Sequence, residues 1–167
     1  QRLSLGLLSA PMDHFHGRRS HKGPSARTRE TDHKPRITHI ALKVSDIGRA
    51  AAFYRDVFGF QQTDLRRDGD HVSCHLTDGA MDLALVEFDP GSVIGSASGE
   101  DTGIHHFGID VDDTAKFAEA IKQAGGELMD DPSRPGARTI KFRVPGGGGI
   151  AEIAPKDWHQ RVGGASK

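Results

Sequence analysis

The feature that most constrains this chain is a short segment that occurs twice. Residues 37–46 read Ile-Thr-His-Ile-Ala-Leu-Lys-Val-Ser-Asp, and residues 104–113 read Ile-His-His-Phe-Gly-Ile-Asp-Val-Asp-Asp. One offset, 106 − 39 = 67, lays Ile37 on Ile104, His39 on His106, Val44 on Val111 and Asp46 on Asp113. The same offset carries Ala51 onto Ala118 and Gly59 onto Gly126. Self-similarity at a fixed spacing marks a repeated structural unit. Each copy brings a histidine to the same place.

The pattern within each copy gives the unit. Ile40, Leu42 and Val44 alternate with His39, Ala41 and Lys43, which predicts a strand with one buried face. Ser45 or Asp46 caps a helix whose apolar positions are Ile47, Ala50, Tyr54 and Val57, closed by Gly59. Strands follow over Phe60–Leu65, Val72–Leu76 and Met81–Phe88, with turns at Arg66–Asp70 and Asp78-Gly79. After a Gly/Ser-rich connector the order returns. A strand spans Ile104–Val111 and a helix carries Phe117, Ile121 and Ala124. Further strands span Glu127–Met129, Thr139–Val144 and Ile150–Ala154. The predicted fold is α+β: two pseudo-symmetric βαβββ modules, about residues 36–90 and 103–157, forming a half-barrel cavity within a domain of residues 36–157.

The ends differ from this domain. Up to Lys34 there are seven Lys/Arg against three acids and four of the ten histidines, with many Ser, Gly and Pro. Residues 1–35 are therefore expected to be a disordered tail, with a composition that suits a transit peptide or a vector-derived leader. Residues 158–167 are expected to be a C-terminal tail. A net charge of −1 gives no overall field that favours nucleic acid or an anionic membrane. No apolar run approaches the ~20 residues of a membrane span. The single Cys74 allows no intrachain disulfide, which suits a cytoplasmic protein. Cys74 falls on the apolar strand face and is expected in the core. Exposed sheet edges would allow a homodimer.

The chemistry is expected on the strand faces opposite the helices. There lie His39, Ala41, Lys43, Ser73, His75, His106, Gly108, Asp110, Thr139, Lys141, Arg143 and Glu152. Two imidazoles and a carboxylate suit a divalent ion of Fe, Mn, Ni, Co or Zn, and three protein ligands leave positions for water and substrate. On spacing alone, His39 and His106 could equally be hydrogen-bonded cavity histidines, and Glu152 an edge acid facing water. Strand parity selects His106 over His105. Asp82 is a fourth ligand if the register sets it level with Glu152; if Ala84 is level, that position is open. His75 is the candidate proton-transfer base, or else a solvent-facing strand histidine. Lys141 and Arg143 could hold an anionic group or line a solvated face. Lys43 and Asp110, at equivalent repeat positions, are expected to pair.

The set of motifs resembles the vicinal oxygen chelate superfamily, which includes glyoxalase I, methylmalonyl-CoA epimerase, extradiol dioxygenases and bleomycin-resistance proteins. The resemblance rests on His39-Ile40-Ala41-Leu42-x-Val44-x-Asp46, Phe53-Tyr54-x-x-Val57-Phe58-Gly59, His106-Phe107-Gly108-Ile109-x-Val111-Asp112-Asp113 and Ala151-Glu152-Ile153. It implies a metal held by His39, His106 and Glu152, and an enzyme acting on a small substrate with adjacent oxygen donors. Such an enzyme would be a lyase or isomerase working through a metal-stabilised enediolate, or a non-haem Fe(II) dioxygenase. Glu152 would then be both ligand and catalytic group, with His75 as the second catalytic residue. The alternative within the family is a metal-free, bleomycin-resistance-type protein that sequesters a ligand.

Overall fold

The computed structural model describes residues 34–133 and 138–163. Apart from Lys34 and Pro35, the tail expected over residues 1–35 lies outside them, as do His14, His16 and His21. Strand β1 (Arg36–Lys43) leads into helix α1 (Ile47–Phe58), then β2 (Gln61–Gln62), β3 (Arg66–Asp68), β4 (His71–Thr77) and β5 (Asp82–Phe88). A short helix α2 (Val93–Ser96) lies in the connector. The second module contains β6 (Gly103–Val111), α3 (Thr114–Gln123), β7 (Glu127–Leu128), β8 (Ile140–Arg143) and β9 (Ile150–Pro155), followed by α4 (Trp158–Gly163).

The repeat is visible in the helix starts. Asp46 accepts a hydrogen bond from the Arg49 amide, and its counterpart Asp113 accepts one from Lys116, each at 2.9 Å. Both are side-chain N-caps satisfying an otherwise orphan donor. Each helix then packs on its own half of the sheet. Ile47 and Ala51 join Cys74, Leu76 and Leu85 in one core; Ala118 joins Val111, Ile140, Phe142, Ala151 and Ile153 in the other. Burial pushes the Cys74 thiol up to about 11, in keeping with a core residue.

All strands belong to one mixed sheet in the order β2-β4-β5-β1-β6-β9-β8-β7, with β3 against β4. The first strand of each module runs parallel to its last, β1 with β5 and β6 with β9. The modules meet antiparallel along β1 and β6, where Ala41 pairs with His106 and His39 with Gly108. Under the 67-residue offset each of these pairings is the image of the other, which defines a pseudo-twofold.

Two register shifts interrupt that seam. The extra residue is Thr38 on β1 in one and His105 on β6 in the other. These positions are themselves one offset apart (105 − 38 = 67). A bulge breaks the two-residue alternation and re-aims a side chain.

Two expectations need correction. The second strand does not run through Phe60–Leu65, and the stretch predicted as a turn at Arg66–Asp70 contributes β3 instead. All three β3 residues are exposed and polar, so the strand carries no apolar alternation to read. The turn tightens to Gly69-Asp70, with Gly69 in the left-handed region at φ 56°. Of the tail expected over residues 158–167, the described part, 158–163, is not a tail either. It forms α4, and His159 there is only 1% exposed.

Candidate metal centre

Strand register places the polar residues in rows across the sheet. Asp82 lies beside His39, His39 beside Gly108, Gly108 beside Glu152, and Glu152 beside Lys141. The neighbouring row runs His75, Ala84, Ala41, His106. Three small residues, Ala41, Ala84 and Gly108, thus sit among large polar ones. The sheet is left with a concave floor beneath a cavity of about 620 Å³.

The register also answers the question of a fourth position. Glu152 pairs with Gly108, and the offset equivalent of Gly108 is Ala41, whose partner on β5 is Ala84. Ala84 is therefore the counterpart of Glu152, and the first module offers no carboxylate there. Asp82 shares the row of Glu152 but sits at its far end beside His39, and it is not the counterpart of Glu152 under the offset.

His39, His106 and Glu152 converge, each offering a ligand atom within 4.8 Å of the others'. All three are buried, so Glu152 is not an edge acid facing water. His39, His75 and Asp82 form a second such group, but its contacts are hydrogen bonds. His39 Nδ1 lies 2.6 Å from one Asp82 oxygen, and His75 Nδ1 lies 2.9 and 3.0 Å from the two oxygens. Burial opposes ionisation of Asp82, but the hydrogen bonds from His39 and His75 hold its carboxyl below the ordinary value. The carboxylate only accepts, so both rings carry hydrogen on Nδ1. In the neutral rings that leaves Nε2 as the lone-pair atom.

The tautomer of His106 follows in the same way. His105 Nε2 lies 2.8 Å from the Ile94 carbonyl, which can only accept, so that nitrogen carries hydrogen. Burial lowers the His105 pKa and pushes the His106 ring down to about 3, keeping both neutral. His105 Nδ1 then accepts from His106 Nδ1–H across 2.7 Å. His106 Nε2 is left bare and faces Glu152 Oε2 at 3.9 Å. Strand parity alone puts His105 on the far side; the bulge folds it behind His106.

Glu152 is ionised. Burial resists the charge, but the Lys141 ammonium outweighs it, together with hydrogen bonding from His159 and the neighbouring rings, and the pKa falls well below the ordinary value. Lys141 Nζ lies 2.7 Å from Oε2. His159 Nε2 donates to Oε1 at 3.1 Å, and its Nδ1 lies 2.6 Å from Asp110 Oδ1. Burial disfavours the imidazolium, but the Glu152 and Asp110 carboxylates raise the His159 pKa above the ordinary value.

The basic residues expected on this face have other partners. Lys141 holds Glu152, and Arg143 reaches the Ala97 carbonyl at 3.3 Å. Lys43 and Asp110 do not pair. Lys43 donates to the carbonyls of Gly95, Gly99 and Glu100 and ties down the connector, while Asp110 holds His159. His75 lines the cavity with its side chain 22% exposed. The residue that sequence reasoning missed is His159. Its helix is six residues long, too short for a periodic signal, and only the Trp158-His159 pair just past the last strand marks it.

The donor set fits a divalent cation. A bare imidazole nitrogen faces an ionised carboxylate oxygen, that oxygen already attracts an ammonium, and a second imidazole converges on the pair. Duplicated βαβββ modules curved around such a group define the vicinal-oxygen-chelate class of half-barrels. Residues 36–151 match the family model of the Glyoxalase/Bleomycin resistance protein/Dioxygenase superfamily, and the chain belongs to that superfamily.

Among curated relatives, a lactoylglutathione lyase of Arabidopsis thaliana is 24% identical over 121 residues, covering 64% of this chain and 39% of that protein. The mitochondrial methylmalonyl-CoA epimerase of Mus musculus is 27% identical over 107 residues, covering 61% and 60%. The chain thus spans less than two thirds of these relatives' lengths. The crystal structure of methylmalonyl-CoA epimerase from Mycobacterium tuberculosis shares the fold, with a TM-score of 0.61 at 20% identity, covering 71% of this chain and 86% of that one. No helix among the described residues is long and apolar enough to cross a membrane.

Proposed function

We propose that this protein is a divalent-metal-dependent lyase or isomerase acting on a small substrate with adjacent oxygen donors, with His39, His106 and Glu152 holding the metal. The observation that carries the proposal is the bare His106 Nε2 facing ionised Glu152 Oε2 at 3.9 Å. Neither atom has a hydrogen to share with the other. Two lone pairs brought together in a buried place need positive charge beside them; the Lys141 ammonium supplies it at Oε2, and a divalent cation that also engages both imidazoles would take its place. The bound metal would supply Lewis acidity to the substrate's paired oxygens.

The chain supplies the proton chemistry. His75, whose ring centroid lies 6.1 Å from that of His39, receives the proton from the carbon beside the polarised carbonyl at Nε2. Asp82 holds the Nδ1 hydrogen and stabilises the charged ring. Returning the proton from His75 to the neighbouring carbon gives isomerisation, whereas epimerisation would need a second acid delivering a proton to the opposite face of the same carbon. This dyad favours proton-transfer chemistry over ring cleavage, and the relatives named as lyase and epimerase support that choice.

Elemental analysis of protein purified without a histidine tag is the first test. About one equivalent of a transition metal is expected, and less than about a tenth would sink the metal reading in favour of ligand sequestration. His39→Ala and Glu152→Ala should each abolish stoichiometric uptake. Rapid oxygen consumption with catechols would replace the lyase or isomerase reading with a dioxygenase.

A further inference from the structure

The row His39–Gly108–Glu152 has a gap at its centre, and helix α4 fills it. A Cβ built on Gly108 would lie 2.6 Å from His159 Cε1, 2.8 Å from its Nε2 and 2.9 Å from His39 Cβ. Real Cβ atoms do not approach that closely, so the imidazole rests on the glycine backbone. The ring stacks on His39, with centroids 4.4 Å apart and planes 15° apart.

Its edges are held on both sides. Nδ1 faces Asp110 Oδ1 at 2.6 Å, with Thr38 Oγ1 at 3.1 Å, and Nε2 faces Glu152 Oε1 at 3.1 Å. Thr38 reaches this ring because it is the bulged residue of β1. Three elements of the sheet therefore provide a seat for one side chain from outside both modules.

We infer that His159 is a positioning residue for Glu152: it ties Oε1 through Nε2–H, so that Oε2 is the oxygen presented to the metal beside His106. The inference rests on the metal reading above and extends it. By itself Glu152 could rotate its carboxylate or bind bidentate. With Oε1 committed to His159, and His159 fixed by Asp110 and Gly108, the carboxylate has one oxygen in play. The centre is then complete only when α4 is docked, and the two modules alone do not finish it.

Cobalt(II) titration of the full chain tests this through the visible ligand-field bands, a readout independent of turnover. The variants are His159→Leu, which fills the space without a donor, His159→Gln, which restores an N–H near Nε2, and Asp110→Asn, which keeps the ring and loosens its seat. The leucine variant should bind cobalt ~10–100-fold more weakly, as lost outer hydrogen bonds do elsewhere, with altered band intensities. The glutamine variant should recover most of that loss, and the asparagine variant should fall between. Circular dichroism identifies any variant that fails to fold, and the remaining ones then decide. Wild-type affinity in folded His159→Leu, or a glutamine variant no better than leucine, overturns the positioning role alone. A wild-type chain that takes up no cobalt overturns the metal reading and this inference with it.

Discussion

His105 and His106, consecutive in one strand, touch through their Nδ1 atoms at 2.7 Å. Neighbours in an unbroken strand point to opposite faces. Here the bulge at His105 turns its ring behind that of His106, where it anchors on the Ile94 carbonyl and accepts the His106 Nδ1 hydrogen. The pair sets the tautomer that leaves Nε2 toward Glu152. His105→Ala should lower metal affinity ~10–100-fold without removing a ligand. Calorimetric titration with zinc measures this; unchanged affinity would show that the tautomer needs no support.

Lys141 places its ammonium on the oxygen that faces His106. A cation entering the site must displace it. Lys141→Met should therefore tighten metal binding while destabilising the metal-free protein. The lysine side chain is 22% exposed and His159 remains on Glu152, so the loss should be about 1–3 kcal/mol, below that of a fully orphaned buried charge. Urea unfolding with and without metal reads both effects, and weaker metal binding in the variant would refute the competition.

Gly108→Ala should cost about 1–3 kcal/mol from overpacking and displace His159, because the new methyl would meet that ring and His39 Cβ at under 3 Å. A crystal structure of the variant should show α4 lifted from the sheet. An unmoved His159 ring would mean the seat is looser than the distances imply.

The metal-free protein should be most stable near pH 6.5. Burial holds His106 neutral down to about 3 and lowers His105 as well, whereas both protonate at about 6.5 when unfolded. Below that pH the unfolded chain binds more protons, so stability falls by about 1.4 kcal/mol per pH unit per proton. Glu152, depressed when folded, adds stability above about 4.5 that disappears as pH falls through its folded value. His159 behaves oppositely. Its raised pKa gives stability that is complete below about 6.5 and is lost as pH rises through the folded value. Urea unfolding at pH 5, 6.5 and 8 should give a maximum in the middle, and a flat profile between 6.5 and 5 would contradict neutral buried imidazoles.

His75→Ala should retain stoichiometric metal, because His75 contacts Asp82 and none of the three converging ligands depends on it directly. Exchange of a substrate's carbon-bound hydrogen with deuterated solvent should fall ~10²–10⁴-fold, the usual worth of a positioned base. Exchange at the wild-type rate would remove His75 from the reaction.

The linear sequence by itself determined the duplication, the two-module architecture and the candidates His39, His106, Glu152 and His75. These are legible because the 67-residue offset and the strand alternation are local properties of the chain. The setting of those residues was decided only by tertiary structure. Period-two parity assumes an unbroken strand, so it could not place Thr38 or His105, whose bulges exist only in the β1–β6 pairing. Lys141 meets Glu152, and Lys43 leaves Asp110 for the connector, because cross-strand register and chain path choose partners that spacing does not encode. His159 falls in the expected tail because a single turn-and-a-half of helix has no period. Its importance comes from a side chain missing at Gly108, 51 residues earlier (159 − 108), and a cavity of that kind appears only once the strands are side by side.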